Sequence, residues 1–92
     1  MSTTYAYEIS YFLIDKDTPQ APIKFEILND YFVAMTKYNG VLKDIKTKVE
    51  DMGDNIDSWF VTLSKINTTV CQDDDGEYLN NRTKVIKHEG NI

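Results

Sequence analysis

The stretch EILNDYFVAMTKYNGVLKDIKTKVEDMG, Glu26 to Gly53, decides the architecture. At its centre stands Asn39-Gly40, the strongest short-range hairpin signal, because both residues tolerate the positive φ of a two-residue turn. The residues around it read differently. Steps of seven from Leu28 reach Met35, Leu42 and Val49, and steps of seven from Tyr31 reach Tyr38, Ile45 and Met52. Every one of these positions is apolar or aromatic, which places them on one stripe of a helix. Asn29 or Asp30 can cap the start, and Gly53 stands where a glycine ends a helix. Gly40 in the interior costs roughly 1 kcal/mol against alanine. A hairpin would set Phe32 opposite Thr47 and Ala34 opposite Ile45, with Lys46 and Lys48 sharing a face with Tyr31 and Val33. The unbroken stripe and the good helix formers after Gly40 favour a helix over 28–52. The same pattern is compatible with a kink at Gly40, or with two short helices meeting there.

On the N-terminal side, residues 4–14 (TYAYEISYFLI) alternate. Tyr5, Tyr7, Ile9, Tyr11 and Leu13 fall on one face, and Ala6, Glu8, Ser10, Phe12 and Ile14 on the other. Aromatic and β-branched residues with period two make a strand. Residues 15–22 (DKDTPQAP) read as a loop, since Pro19 and Pro22 both break regular pairing. Residues 23–28 fit either a second strand or a lead-in to the helix. On the C-terminal side, 57–66 (DSWFVTLSKI) predicts a strand with Trp59, Val61 and Leu63 on one side. Asp73 to Gly76 is turn chemistry. Residues 78–89 return as a last strand, with Asn80-Asn81 a point of interruption. The expected fold is α+β and two-layered: one long amphipathic helix on a mainly antiparallel sheet of three to four strands. At 92 residues, 1–92 is expected to form a single domain.

Composition narrows the setting. The single cysteine, Cys71, allows no intrachain disulfide and favours a reducing compartment. The N-terminus has no basic region, and the longest nearby apolar run, Tyr11 to Ile14, is far too short for a signal peptide or a membrane span. A soluble, cytoplasmic protein is expected, in the host cytoplasm if the gene is carried by a phage. The net charge of −5 is uneven. Residues 1–48 hold six acids and six lysines, whereas 50–77 hold eight acids and only Lys65 against them.

Most chemical signatures fail on inspection. Aligning Gly76 with the obligatory glycine of a calcium loop puts Cys71 at the first ligand position and Arg82 where the bidentate glutamate belongs, both wrong for a hard cation. Asp73-Asp74-Asp75 therefore reads as an acidic turn. His88, the only histidine, and Cys71 cannot complete a zinc site between them, and nucleophilic catalysis needs a third, orienting group. His88 reads as a solvated residue near the terminus and Cys71 as a small apolar filler. The four glycines are isolated, so no phosphate loop exists. General acid–base work needs a cleft that shifts carboxylate pKa values, which a small domain with one helix rarely provides. No enzymatic activity, cofactor or metal is expected. Tyr5, Tyr7 and Tyr11 could stack unpaired bases, but such platforms sit in positive grooves, and no Lys/Arg cluster flanks them in the sequence. Packing under the helix is the plainer reading.

The acidity itself remains. Glu50 and Asp51 lie in the last turn of the expected helix, facing the negative end of its dipole, and Asp54 and Asp57 follow at once. Lys46 and Lys48 would offset part of that clash. A local rule broken without visible gain is where function is expected, although a merely solubilising surface would look the same. The reading is a small non-enzymatic protein-binding module. It would present Glu50, Asp51, Asp54, Asp57, Asp73, Asp74, Asp75 and Glu77 to a basic surface on a partner protein. If the spacing approximates phosphates, the partner is a nucleic-acid-binding enzyme and the effect is inhibition. Phage- and plasmid-encoded inhibitors of host nucleases are often this small and acidic; the analogy is one of size and charge. Direct nucleic-acid and membrane contacts are not expected under this reading. The alternatives are a single-strand nucleic-acid binder using the tyrosine-bearing strand, and an assembly subunit whose sheet edge or helix seam forms a homodimer.

Overall fold

The computed structural model describes residues 2–17 and 23–92. Strand β1 (Ser2–Asp15) is followed by β2 (Lys24–Leu28), helix α1 (Tyr31–Met52), a 3-10 turn (Gly53–Asn55), β3 (Ile56–Asp73) and β4 (Gly76–Gly90). The strands form one antiparallel sheet in the order β2-β1-β3-β4, and α1 lies on one face of it. This is the expected two-layer α+β arrangement. The expected loop begins at Lys16; its residues 18–22, with both prolines, lie outside the described residues.

The helix reading of the central stretch holds, and Asn39-Gly40 makes no turn. The burial explains why. Ala34, Tyr38 and Ile45 of α1 are buried against Ile9 of β1 and Val61 and Leu63 of β3. Each large side chain so buried contributes about 1.5–3 kcal/mol, which outweighs the cost of roughly 1 kcal/mol for one interior glycine. Asp30 is the N-cap, its Oδ1 accepting from the Val33 amide at 3.0 Å. The helix therefore starts at Tyr31, and Leu28, the first residue of the heptad count, belongs to β2 and reaches the core from the sheet. Gly53, at φ 56°, ends the helix, with its amide bonded to the Val49 carbonyl.

β3 runs seven residues beyond the expected Ile66, because Ile66, Thr68, Thr69 and Val70 are β-branched and are paired on both sides by β1 and β4. β4 is not interrupted at Asn80-Asn81, where Thr68 Oγ1 donates to Asn81 Oδ1 at 2.8 Å. The irregularity falls instead opposite Leu63/Ser64, where β4 carries Ile86 as an extra residue and turns it against the core. Asp74 and Asp75 form the two-residue loop between β3 and β4, and the positive φ, 127°, falls on Gly76.

The helix backs only part of the sheet. Tyr31, at its first turn, meets Tyr7 with ring centroids 5.6 Å apart. Beyond that level β1 loses β2 as a partner, and residues 2–6 with 66–84 continue as an arm of three strands narrowing to two. The molecule measures 56 × 27 × 15 Å. Its radius of gyration is 16.7 Å, against about 12 Å for a compact chain of this length.

Candidate functional site

The eight acidic residues singled out from the sequence are all exposed. Among the described residues none of them forms an ion pair; the two ion pairs are Lys37–Glu26 at 3.5 Å and Lys46–Glu89 at 3.0 Å. The fold does not bring the eight together. Glu50, Asp51, Asp54 and Asp57 gather where α1 ends and β3 begins, whereas Asp73, Asp74, Asp75 and Glu77 surround the hairpin tip. Asp57 and Asp73 stand at the two ends of one extended strand, which at about 3.3 Å per residue separates them by about 50 Å. A standard interface covers about 800 Å² on each partner, a patch roughly 30 Å across, so the two groups are separate sites.

The helix end is the denser of the two, and pairing of β1 with β3 adds residues that the sequence did not mark. Asp15 pairs in register with Ile56, the Lys16 amide donates to the Asn55 carbonyl at 2.8 Å, and Asn55 Nδ2 donates to Asp17 Oδ2 at 3.3 Å. Asp15 and Asp17 thus join Glu50, Asp51, Asp54 and Asp57. The last turn of α1 contains no base. Lys46, expected to relieve the dipole clash, is drawn away to Glu89 on β4. At the tip, local hydrogen bonds hold the carboxylates: Asp73 Oδ1 accepts from the Asp75 amide at 2.8 Å, and Glu77 Oε1 from Gln72 Nε2 at 3.0 Å.

The tyrosine face is split by the helix. Tyr7 and Tyr11 are half-buried and pack against the core, the plainer reading of the stripe. Tyr5, on the arm, is 52% exposed, and Lys65 Nζ sits 4.4 Å from its ring centroid. The register places Lys65 opposite Lys84, and Asn67, which faces Tyr5, opposite Arg82. Cations far apart in sequence therefore stand at neighbouring register positions, with Lys65 over Tyr5. Two lysines directly opposed across strands are destabilising, and the cation–π contact of Lys65 acts against that effect.

His88 and Cys71 are far apart, on the register positions of Thr62 and Tyr78 respectively. His88 is exposed but held rather than freely solvated. Its Nε2 donates to the Ile92 carbonyl at 2.9 Å, so its neutral form accepts at Nδ1 from Thr62 Oγ1 at 2.7 Å. Among the described residues no three of His, Cys, Asp and Glu are placed to hold a metal ion. A groove of 540 Å³ runs along α1 beside Phe32, Val33, Lys37, Gly40, Val41 and Asp44. It is largely apolar, and its one lysine is already paired with Glu26. Among the described residues no helix is long and apolar enough to cross a membrane.

Fold and site together define an α+β protein with a long helix on a four-stranded antiparallel sheet and exposed carboxylates grouped near both ends of β3. No family model, no curated protein and no solved structure matches the chain.

Proposed function

We propose that the protein is a non-enzymatic binding module that docks its acidic helix end onto a basic surface of a partner protein, one that otherwise holds nucleic-acid phosphates, and inhibits that partner by occupying it. The observation that carries the reading is the gathering of Asp15, Asp17, Glu50, Asp51, Asp54 and Asp57 at one end, with no base in the last helical turn. A binding surface of this kind works through its summed field, which steers a cationic partner and acts mainly on the association rate. The tip carboxylates, about 50 Å away, serve as a second contact only for an elongated partner. The test is capture of partners from cell lysate at graded ionic strength, with Asp54→Asn/Asp57→Asn and Asp73→Asn/Asp74→Asn/Asp75→Asn as separate variants. Binding should fall steeply with salt, because the Debye length shrinks from about 10 Å at 0.1 M to about 3 Å at 1 M. It should fall more in the first variant than in the second. Binding insensitive to both salt and substitution leaves the acids as a solvated surface and removes the proposal.

A second reading, direct binding of single-stranded nucleic acid, has one observation in its favour: Lys65 lies over the exposed ring of Tyr5, with Lys84 and Arg82 at the neighbouring register positions of β4. A labelled single-stranded oligonucleotide distinguishes the two. Binding by the wild type that is lost in Lys65→Gln/Lys84→Gln would put the arm, not the acidic end, at the centre of the function.

A further inference from the structure

The helix covers one face of the sheet, and no described element covers the other. That open face carries Phe12 and Ile14 of β1, Phe25 and Ile27 of β2, Phe60 and Ile66 of β3, and Val85 of β4. Phe12 and Phe60 are cross-strand partners with centroids 4.7 Å apart, and Phe60 stacks on His88. On the outer strands Phe25 and Ile27 are 62% and 61% exposed, and Val85 is 57% exposed. Charged residues make up 27% of the chain, yet short of the hairpin tip Glu8 is the only charged side chain whose register places it on this face. The charge has been sorted to the helix side, the strand ends and the arm.

We infer that this face is the contact between two copies of the chain, packed sheet on sheet about a twofold axis. The occupant follows from area and charge. The accessible surface is 6473 Å², whereas a monomer of 10.6 kDa exposes about 5,500 Å². The surplus of about 1,000 Å² is what one partner hides in a standard interface, about 800 Å². The elongation of the molecule points the same way, since the arm and the open face both leave surface that a single chain does not cover. A basic or acidic partner finds almost nothing here to pair with. A second copy brings the same nearly uncharged surface, apolar on its outer strands and polar but uncharged at Ser10, Thr62 and Ser64 between them, and its sheet can lie about 10 Å away with the strands nearly aligned. The result has four layers, with helices outermost and both acidic ends free, so the inference is independent of the proposed function.

The test is sedimentation equilibrium of the full chain across the micromolar range, with three variants. The wild type should sediment at twice the chain mass of 10.6 kDa, and its Tm should rise with concentration. Phe25→Glu and Val85→Glu, on opposite outer strands and already exposed, should each weaken dimerisation by about a hundredfold or more while leaving the helical circular dichroism signal intact. Phe32→Glu changes a residue of α1 that is 78% exposed and should leave the dimer unchanged. Because the two sheet variants lie on different strands, misfolding of one leaves the other to decide. A wild type that is monomeric at every concentration overturns the inference, whether or not it binds vesicles or another protein. So does a dimer that survives both sheet substitutions or dissociates with Phe32→Glu.

Discussion

Replacing Gly40 with alanine tests the decision on which the fold rests. Gly40 lies ten residues into α1, is exposed, and does not have positive φ. A Cβ built on it meets nothing within 4 Å, so the methyl group causes no clash and gains no packing. What remains is propensity. Alanine loses less backbone entropy than glycine on entering a helix, a difference of about 0.8–1.0 kcal/mol in favour of the variant. For a domain of this size that gain raises Tm by about 4–8 °C. In urea, with a slope of about 1–1.5 kcal/mol/M, the midpoint moves up by about 0.6–0.9 M with the slope unchanged. The assay is paired urea and thermal unfolding followed by circular dichroism, at matched protein concentration because self-association shifts apparent stability. In a hairpin turn at Asn39-Gly40 the glycine would need positive φ, and the same substitution would cost more than about 1 kcal/mol. A clear loss of stability would therefore refute the helix and the core built on it.

Two further outcomes follow from the core. Leu63 is fully buried, whereas Leu42, on the apolar stripe of the helix, and Trp59, on the same strand face as Leu63, are only half-buried. Leu63→Ala should cost about 2–5 kcal/mol and Leu42→Ala distinctly less, read from urea midpoints, and equal costs would mean the core is centred elsewhere. Tyr38 is 2% exposed, and burial together with the charge of Glu89 holds its phenol above the ordinary value of 10.0. A raised value in the folded state means that the fold keeps the proton while the unfolded chain sheds it. This contribution is intact below about pH 10 and is lost as the pH climbs from there through the folded value. Wild-type stability should accordingly decline above about pH 10 more steeply than that of Tyr38→Phe; parallel curves would show that Tyr38 is not the group responsible.

What the sequence displays is what local physics controls. Alternation in TYAYEISYFLI, the heptad stripe, the Asp30 cap, the glycine at 53 and the turn at Asp73 to Gly76 each depend on residues within a few positions of one another. The register of β1 on β3 does not. It joins residues some forty to seventy positions apart, such as Ile9 with Leu63 and Thr3 with Thr69, and no short window encodes it. Three features of the surface follow from how the strands pair and how far β3 runs. Asp15 and Asp17 reach the acidic end because β1 finishes beside the start of β3. Lys65 reaches Tyr5 and Lys84 because β3 lies between β1 and β4. The acids of 50–57 and 73–77 are driven apart because β3 continues to Asp73 instead of stopping at Ile66. Read linearly, 50–77 is one acidic segment; folded, it is two poles joined by a strand.

The sorting of charge makes the two proposed contacts separable by one variable. Attraction through the acidic helix end is Coulombic, largely solvent-exposed, and weakened as salt shortens the Debye length. Association through the open sheet face would bury apolar surface with a single carboxylate, Glu8, on it short of the hairpin tip, and burial of that kind is strengthened by sulfate and phosphate salts, which are excluded from protein surface. Rising sulfate should therefore drive the protein off a basic partner while holding its two copies together. A chain that used one mixed surface for both purposes could not respond in opposite directions. The thinness of the fold, one helix on one sheet, is what allows the separation. It leaves the sheet with a face that no described element covers, while the carboxylates gather at the strand ends.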